Sequence, residues 1–236
     1  MDNWLERTEL LLGKEKLGLL RQAHVLVVGL GGVGAYAAEM VARAGVGRMT
    51  IADADAVAPS NINRQLVALH STVGRQKAEV LADRLRDINP AIGLTVVNRY
   101  IRDEETYTLL DAAAYDFVVD AIDTLSPKLA LIKGALDRSL PLVSSMGAGA
   151  KTDPTKMEIA DISKTHHCPL AHMLRKRLQG GILARGDARG GDDPLRRAEQ
   201  EVERRHDLLH PGAVRHRLRL GGDPHADRGN GLTTKP

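Results

Sequence analysis

Val25-Leu26-Val27-Val28-Gly29-Leu30-Gly31-Gly32-Val33-Gly34 is the stretch that decides the fold. Its first four residues are apolar on both faces of an extended chain, the pattern of a strand in the middle of a parallel sheet. In the glycine run that follows, Gly29 permits a tight turn, Gly31 lets backbone approach a phosphate, and Gly34 lets the next helix pack close. That helix, expected from about Val33 to Ala44, presents its N-terminal N–H groups and positive dipole end to an anion. The glycine pattern alone is a weak signal. Placed between a strand and a helix, it predicts a nucleotide site.

Toward the N-terminus, residues 4 to about 22 read as one or two amphipathic helices, with Leu5, Leu10, Leu11, Leu12, Leu17 and Leu20 on the apolar side. Toward the C-terminus, Arg48 to Ala52 reads as a second strand closed by Asp53. Residues 54–74 are polar and turn-rich, too long for a plain connector, which predicts a functional loop. Helices are expected at Arg75–Ile88, stopped by Asn89-Pro90, at Asp103–Ala113 and at Pro127–Ser139. Strands are expected at Leu94–Tyr100, Phe117–Ile122 and Pro141–Ser144. This alternation predicts an α/β fold: a doubly wound, Rossmann-like parallel sheet with N-terminal helices.

The chain has 236 residues and a formal net charge of +3, a balance that permits a nucleic-acid partner without demanding one. Its single cysteine, Cys168, excludes an intramolecular disulfide and a cysteine-only zinc site, and fits a reducing cytosol. The N-terminus carries no basic region followed by an apolar stretch, and no apolar run is long enough to span a bilayer. The expected location is cytoplasmic, with no membrane partner.

Asp53 stands about 20 residues past the glycines, where a carboxylate meets ribose hydroxyls. By itself this would suggest a nicotinamide cofactor. Asn61, Arg64 and Gln65, followed by Arg75 and Lys77, instead concentrate cations opposite the glycine turn, as a triphosphate requires. Arg64 and Lys77 also admit a plainer reading as a solvated basic surface. Asp123 falls at the C-terminal edge of a buried strand, where open α/β sheets bind ligands. A carboxylate facing phosphates implies an intervening Mg²⁺, or else Asp123 caps the helix that starts near Pro127.

Together, Gly29-Leu-Gly-Gly-Val-Gly34, Asp53-x-Asp55, Asn61-x-x-Arg64-Gln65, Gly74-x-x-Lys77, Asn89-Pro90 and Asp120-x-x-Asp123 resemble the ubiquitin-activating-type adenylation superfamily. The resemblance covers residues 1–179. Val119-Asp-Ala-Ile-Asp-Thr-x-x-Pro-Lys128, Ser145-Met-Gly-Ala-Gly149 and Asp161-Ile-Ser-Lys-Thr-x-x-x-Pro-Leu170 further resemble the tRNA threonylcarbamoyladenosine dehydratases. These enzymes use ATP to cyclise the modified adenosine at tRNA position 37. The resemblance implies that Gly29, Gly31, Gly32, Gly34 and Gln65 belong to the ATP site and that Asp53 binds the ribose. It implies that Asn61, Arg64 and Lys77 contact the phosphates and that Asp123 holds Mg²⁺. Arg64, Lys77, Asp123 and Arg7 are then the catalytic set, with Arg7 reaching across a homodimer to the partner's ATP or else lying as an ordinary surface arginine. The implied partners are tRNA, a second copy of the chain and a sulfur-transfer protein.

Cys168, in His166-His167-Cys168-Pro169, precedes a basic helix, which lowers a thiol pKa. Dehydration needs no thiol, so a structural or substrate-facing role is favoured over a nucleophile. A metal site on His166, His167 and Cys168 lacks a fourth nearby ligand. Arg175-Lys-Arg177 with Lys151, Lys156 and Lys164 offers either an RNA-phosphate contact or a solvated helix face.

Composition changes near Gly180. Residues 180–236 form an Arg/Gly/Asp-rich tail with no Phe, Tyr, Trp or Met, too poor in apolar surface to build a core. Relatives are expected to continue here with further strands. Back-translating Leu183–Gly190 and His206–Gly229 with GC-rich codons and reading one base later can yield strand-like and small-residue helical strings. The tail is therefore a candidate frameshift product, for which poor solubility and weak activity are expected.

The function expected is ATP-dependent cyclising dehydration at tRNA position 37. The alternative is an adenylyltransferase that activates the C-terminus of a ubiquitin-like sulfur carrier. A nicotinamide oxidoreductase is disfavoured by the Arg64 and Lys77 loop, and a non-catalytic module is the remaining class.

Overall fold

A computed structural model describes residues 4–183. Five parallel strands form one sheet in the order β3-β2-β1-β4-β5: β1 His24–Val28, β2 Arg48–Ala52, β3 Gly93–Val97, β4 Phe117–Asp120 and β5 Leu142–Ser144. β1 sits at the centre, every residue buried, with Val28 level with Ala52 of β2 on one side and Asp120 of β4 on the other. The helices are α1 Glu6–Leu12, α2 Lys14–Gln22, α3 Gly34–Arg43, α4 Lys77–Ile88, α5 Glu104–Asp111, α6 Leu125–Asp137 and α7 Pro169–Leu183.

Two apolar layers sandwich the sheet. Val25, Val27, Met49 and Ile51 face α3 and α4 through Ala35, Ala38, Ala42, Leu81 and Leu85. Leu26, Val28 and Val118 face α5 and α6 through Leu109, Leu110 and Leu131. This is the doubly wound arrangement expected from the alternation of elements. The chain leaves β1 toward β2 and β3 on one side and returns to β4 and β5 on the other. The strand order therefore reverses between β1 and β4, and their C-terminal ends bound a crevice.

Three local expectations change. The N-terminal helix breaks at Gly13, whose φ of +82° ends α1, and the two helices present different faces. Leu5, Leu17 and Leu20 are buried as expected, whereas Leu10 and Leu11 point to solvent. β3 ends at Val97 rather than Tyr100. β4 ends at Asp120, so Ala121 and Ile122 leave the strand because the Asp120 carboxylate takes the Ile122 N–H at 3.0 Å. The boundary expected at 179/180 falls within α7, and the tail past residue 183, with its frameshift reading, lies outside the described residues.

Candidate functional site

The glycine turn fills the crevice between β1 and β4. Gly29 has φ +86°, and a Cβ there would lie 2.7 Å from the Ala121 carbonyl oxygen, so only glycine fits. Gly34 opens α3 directly against the turn. Asp53 fixes the turn from β2: its Oδ2 accepts the Leu30 N–H at 2.6 Å and its Oδ1 the Asp55 N–H at 2.8 Å. Burial pushes the Asp53 carboxyl above its ordinary value, against the pull of those two N–H donors and of Lys77.

Residues 53–77 form an ordered loop closed at its base. Val57 donates to the Arg75 carbonyl at 2.8 Å, Gly74 to Val57 at 2.9 Å and Lys77 to Asp55 at 2.9 Å. Val57, Val67 and Ala68 anchor it in the core. The loop delivers Arg64 and Gln65 to the glycines. The Arg64 stem lies over Gly32, 3.7 Å from the position of a Cβ there, and Gln65 Nε2 lies 3.7 Å from that position on Gly31. The Gln65 side chain is buried, yet its Oε1 has no hydrogen-bond partner among the described residues. An orphaned acceptor calls for a hydrogen-bond donor, which a nucleotide's hydroxyl or amino group can supply and a phosphate oxygen cannot.

Lys77 is not the solvated surface lysine that its sequence context allows. It is buried at the start of α4, with Nζ 2.7 Å from Asp55 Oδ2. Asn61 plays a local part: its Oδ1 accepts the Ala58 N–H at 3.1 Å, and its carbonyl receives the Arg64 and Gln65 N–H groups. Asp123 is exposed just past β4 and makes no hydrogen bond or ion pair with the described residues. It does not cap α6, whose N-cap position is Thr124 and has no side-chain cap bond.

Arg7 is not brought to this crevice. It is exposed on α1, two residues past Leu5, which packs on Gly45 beyond the C-terminal end of α3. The glycine turn lies at the other end of that helix, about 15 Å away for ten residues.

Cys168 is buried at the start of α7, where its Sγ accepts the Ala171 N–H at 3.5 Å. Burial pushes the thiol up, but N–H groups of Ala171, Gly147 and Leu170, with the Lys151 charge, bring it below its ordinary value. No group of three or more His, Cys, Asp or Glu side chains poised to hold a metal occurs among the described residues. Of the basic run, Arg175 is half-buried and donates to the Thr165 carbonyl at 2.6 Å, and Lys151 donates to the Gly147 carbonyl at 2.6 Å. Lys164, Lys176 and Arg177 remain exposed.

Sequence reasoning gave Lys128 no role beyond closing the motif that starts at Val119. It is fully buried, 2.8 Å from the equally buried Asp120. The available signal was its position: Lys128, Leu131, Ile132 and Ala135 form one buried stripe on α6.

The family model described as ThiF matches residues 5–187. The chain belongs to the ThiF family. Among relatives of this ThiF-family chain, the Bacillus subtilis tRNA threonylcarbamoyladenosine dehydratase is 47% identical over 180 residues, 76% of this chain and 70% of the relative. The crystal structure of the E. coli tRNA N6-threonylcarbamoyladenosine dehydratase in complex with ATP superposes with a TM-score of 0.73 at 43% identity, covering 76% of this chain and 74% of that one. The E. coli molybdopterin-synthase adenylyltransferase is more distant, 36% identical over 149 residues, 63% of this chain and 59% of the relative.

Proposed function

We propose that this chain uses ATP to cyclise threonylcarbamoyladenosine at tRNA position 37 with loss of water. The observation that supports the reading is a phosphate-type glycine turn at the β1/β4 crevice, bonded by Asp53, whose neighbour Asp55 pairs with the buried Lys77, with the exposed Asp123 just past β4. Membership of the ThiF family and likeness to the dehydratases supply the substrate.

The chemistry follows from leaving-group strength. A carboxylate cannot expel oxide under intramolecular attack. Its oxygen therefore attacks the α-phosphorus of ATP, pyrophosphate departs, and an acyl adenylate forms. The side chain's own nitrogen or oxygen then attacks the acyl carbon and AMP departs. The nucleoside is left one water lighter, and ATP is converted to AMP and pyrophosphate.

The protein's task is positioning and charge neutralisation. Gly29, Gly31, Gly32 and Gly34 with the α3 N-terminus cradle the phosphates, and Asp53 orients the ribose. Arg64 and Lys77 offset phosphate charge, Lys77 exchanging Asp55 for phosphate. The Asn61 amide nitrogen and Gln65 Oε1 supply further polar contacts. Asp123 would hold Mg²⁺, which when bound would offset phosphate charge. Lys164, Lys176 and Arg177 face the RNA backbone. Because Arg7 lies far from its own crevice, it serves the active site of a second copy in a homodimer.

The test is incubation of purified protein with ATP, Mg²⁺ and tRNA bearing the modified adenosine, followed by mass analysis of the nucleosides. Loss of one water, with AMP and pyrophosphate released, supports the reading. An adenylate on a Gly-Gly-ended carrier protein with the tRNA unchanged would replace it with the sulfur-carrier alternative.

A further inference from the structure

Asp120 and Lys128 are both 0% exposed, and neither faces the phosphates in the reading above. A buried ion pair is often no more stabilising than apolar residues of the same volume, so stability alone does not explain this one. Its hydrogen bonds do. Lys128 Nζ donates to Asp120 Oδ2 at 2.8 Å and to the Ile122 carbonyl at 3.0 Å. Asp120 Oδ1 accepts the Ile122 N–H at 3.0 Å, and Ser144 Oγ donates to Asp120 Oδ2 at 2.7 Å. Both backbone polar groups of Ile122 are thus gripped by the side chains of the buried pair.

Ile122 sits between two residues that matter. Ala121 walls the glycine turn: its carbonyl oxygen lies 2.7 Å from a Cβ position on Gly29, and its Cβ lies 3.0 Å from one on Gly34. On the other side is Asp123, exposed and held by no side chain among the described residues. The place of the Asp123 carboxylate is therefore set by its backbone.

We propose that Asp120 and Lys128 are positioning residues, a buried charge clamp on Ile122 that presets Asp123 and the wall of the glycine turn for the metal–phosphate group. The inference rests on the Mg·ATP reading. It adds that two residues without access to the nucleotide govern how well the metal is used.

The test is the Asp120→Asn/Lys128→Met double variant, which removes both charges at similar volume. Amide exchange in the ligand-free protein and calorimetric ATP binding, with Mg²⁺ and with chelator, are compared with wild type. Exchange at Ile122 should rise about tenfold or more while β1 amides keep their protection. The gain in ATP affinity that Mg²⁺ brings should fall about fivefold, with metal-free affinity within about twofold. A folded variant with unchanged exchange at Ile122 overturns the proposal. If the double variant does not fold, Ser144→Ala loosens Asp120 without uncovering a charge. A rise of about threefold in the Ile122 amide is then expected, and no rise overturns the clamp. If wild type itself binds ATP no better with Mg²⁺, the Mg·ATP reading fails, while the exchange result still judges the clamp.

Discussion

A Cβ placed on Gly34 would stand 1.8 Å from the carbonyl oxygen of Gly29. The first residue of α3 and the first residue of the turn thus share space that only hydrogen can occupy, with β1 and the inner face of α3 buried on either side. Gly34→Ala must push α3 off the turn, because backbone cannot swing aside as a side chain can. The expected cost is about 3 kcal/mol, the upper end for overpacking, with ATP binding lost. Gly31→Ala is the contrast, since the nearest atom is the Gln65 amide at 3.7 Å. It should fold normally and weaken ATP about tenfold by obstructing the phosphate side of the turn. Urea denaturation and calorimetry separate the two, and equal stability losses would contradict the geometry.

Asp123→Asn should separate activity from stability. Its carboxylate is exposed and engages no described residue, so the unfolding free energy should stay within about 0.5 kcal/mol of wild type. The Mg²⁺-dependent release of AMP should fall about 100-fold, because the metal loses its protein anchor. A wild-type rate in the folded variant would remove Asp123 from the site.

Glu39 on α3 makes the fold acid-sensitive. It is buried, and its carboxylate accepts from Arg84 Nε at 2.5 Å and Arg43 Nε at 2.8 Å. The Arg84 hydrogen bond, helped by Arg43, holds its carboxyl below the ordinary glutamate range despite the opposing effect of burial. A depressed folded-state pKa means stability that is fully present above the unfolded pKa. That stability is lost as pH falls through the folded pKa. Glu39→Gln should cost about 1–2 kcal/mol at neutral pH, the lower part of the range for charged hydrogen bonds because both arginines are half exposed. The gap should close on acidification below the ordinary glutamate range. Denaturation curves across pH check this, and a gap that is constant with pH would defeat it.

What the sequence discloses and what it hides follow physical lines. Arg48–Ala52 was legible as a strand, to the residue, because Gly47 and Asp53 bracket a short run carrying Met49, Ile51 and Ala52. The order of helices and strands was legible because each helix buries one periodic face and the central strands bury both. Phe117–Ile122 was overread because a side chain stands in for the sheet at its end, the Asp120 carboxylate capturing the Ile122 N–H, and periodicity carries no trace of that. Leu10 and Leu11 were overread because one backbone angle at Gly13 rotates α1 away from α2. In the candidate site, residue types and spacing pointed to Asp53, Arg64, Gln65 and Lys77, whose proximity depends on a loop closed on itself between Asp55 and Lys77. The burial of Lys77 required three dimensions, since its partner Asp55 lies 22 residues away. Lys128 left a trace in its place on the buried stripe of α6, but its pairing with Asp120 did not.

Arg7 offers the sharpest test of assembly. α1 holds it at the end of α3 remote from the glycine turn, so the proposed homodimer puts Arg7 of one copy beside Asp123 of the other. Arg7→Ala and Asp123→Asn should each be nearly inactive alone. Co-refolded in equal amounts, they form hybrids in which one site combines an intact Asp123 with the other copy's intact Arg7. Random pairing in a twofold dimer makes half the dimers hybrid, with one good site in two, so about a quarter of wild-type activity should return. An arginine acting within its own chain gives no recovery, because neither subunit then contains both residues. A mixture as inactive as its components, with hybrids verified by mass, would return Arg7 to the ordinary surface.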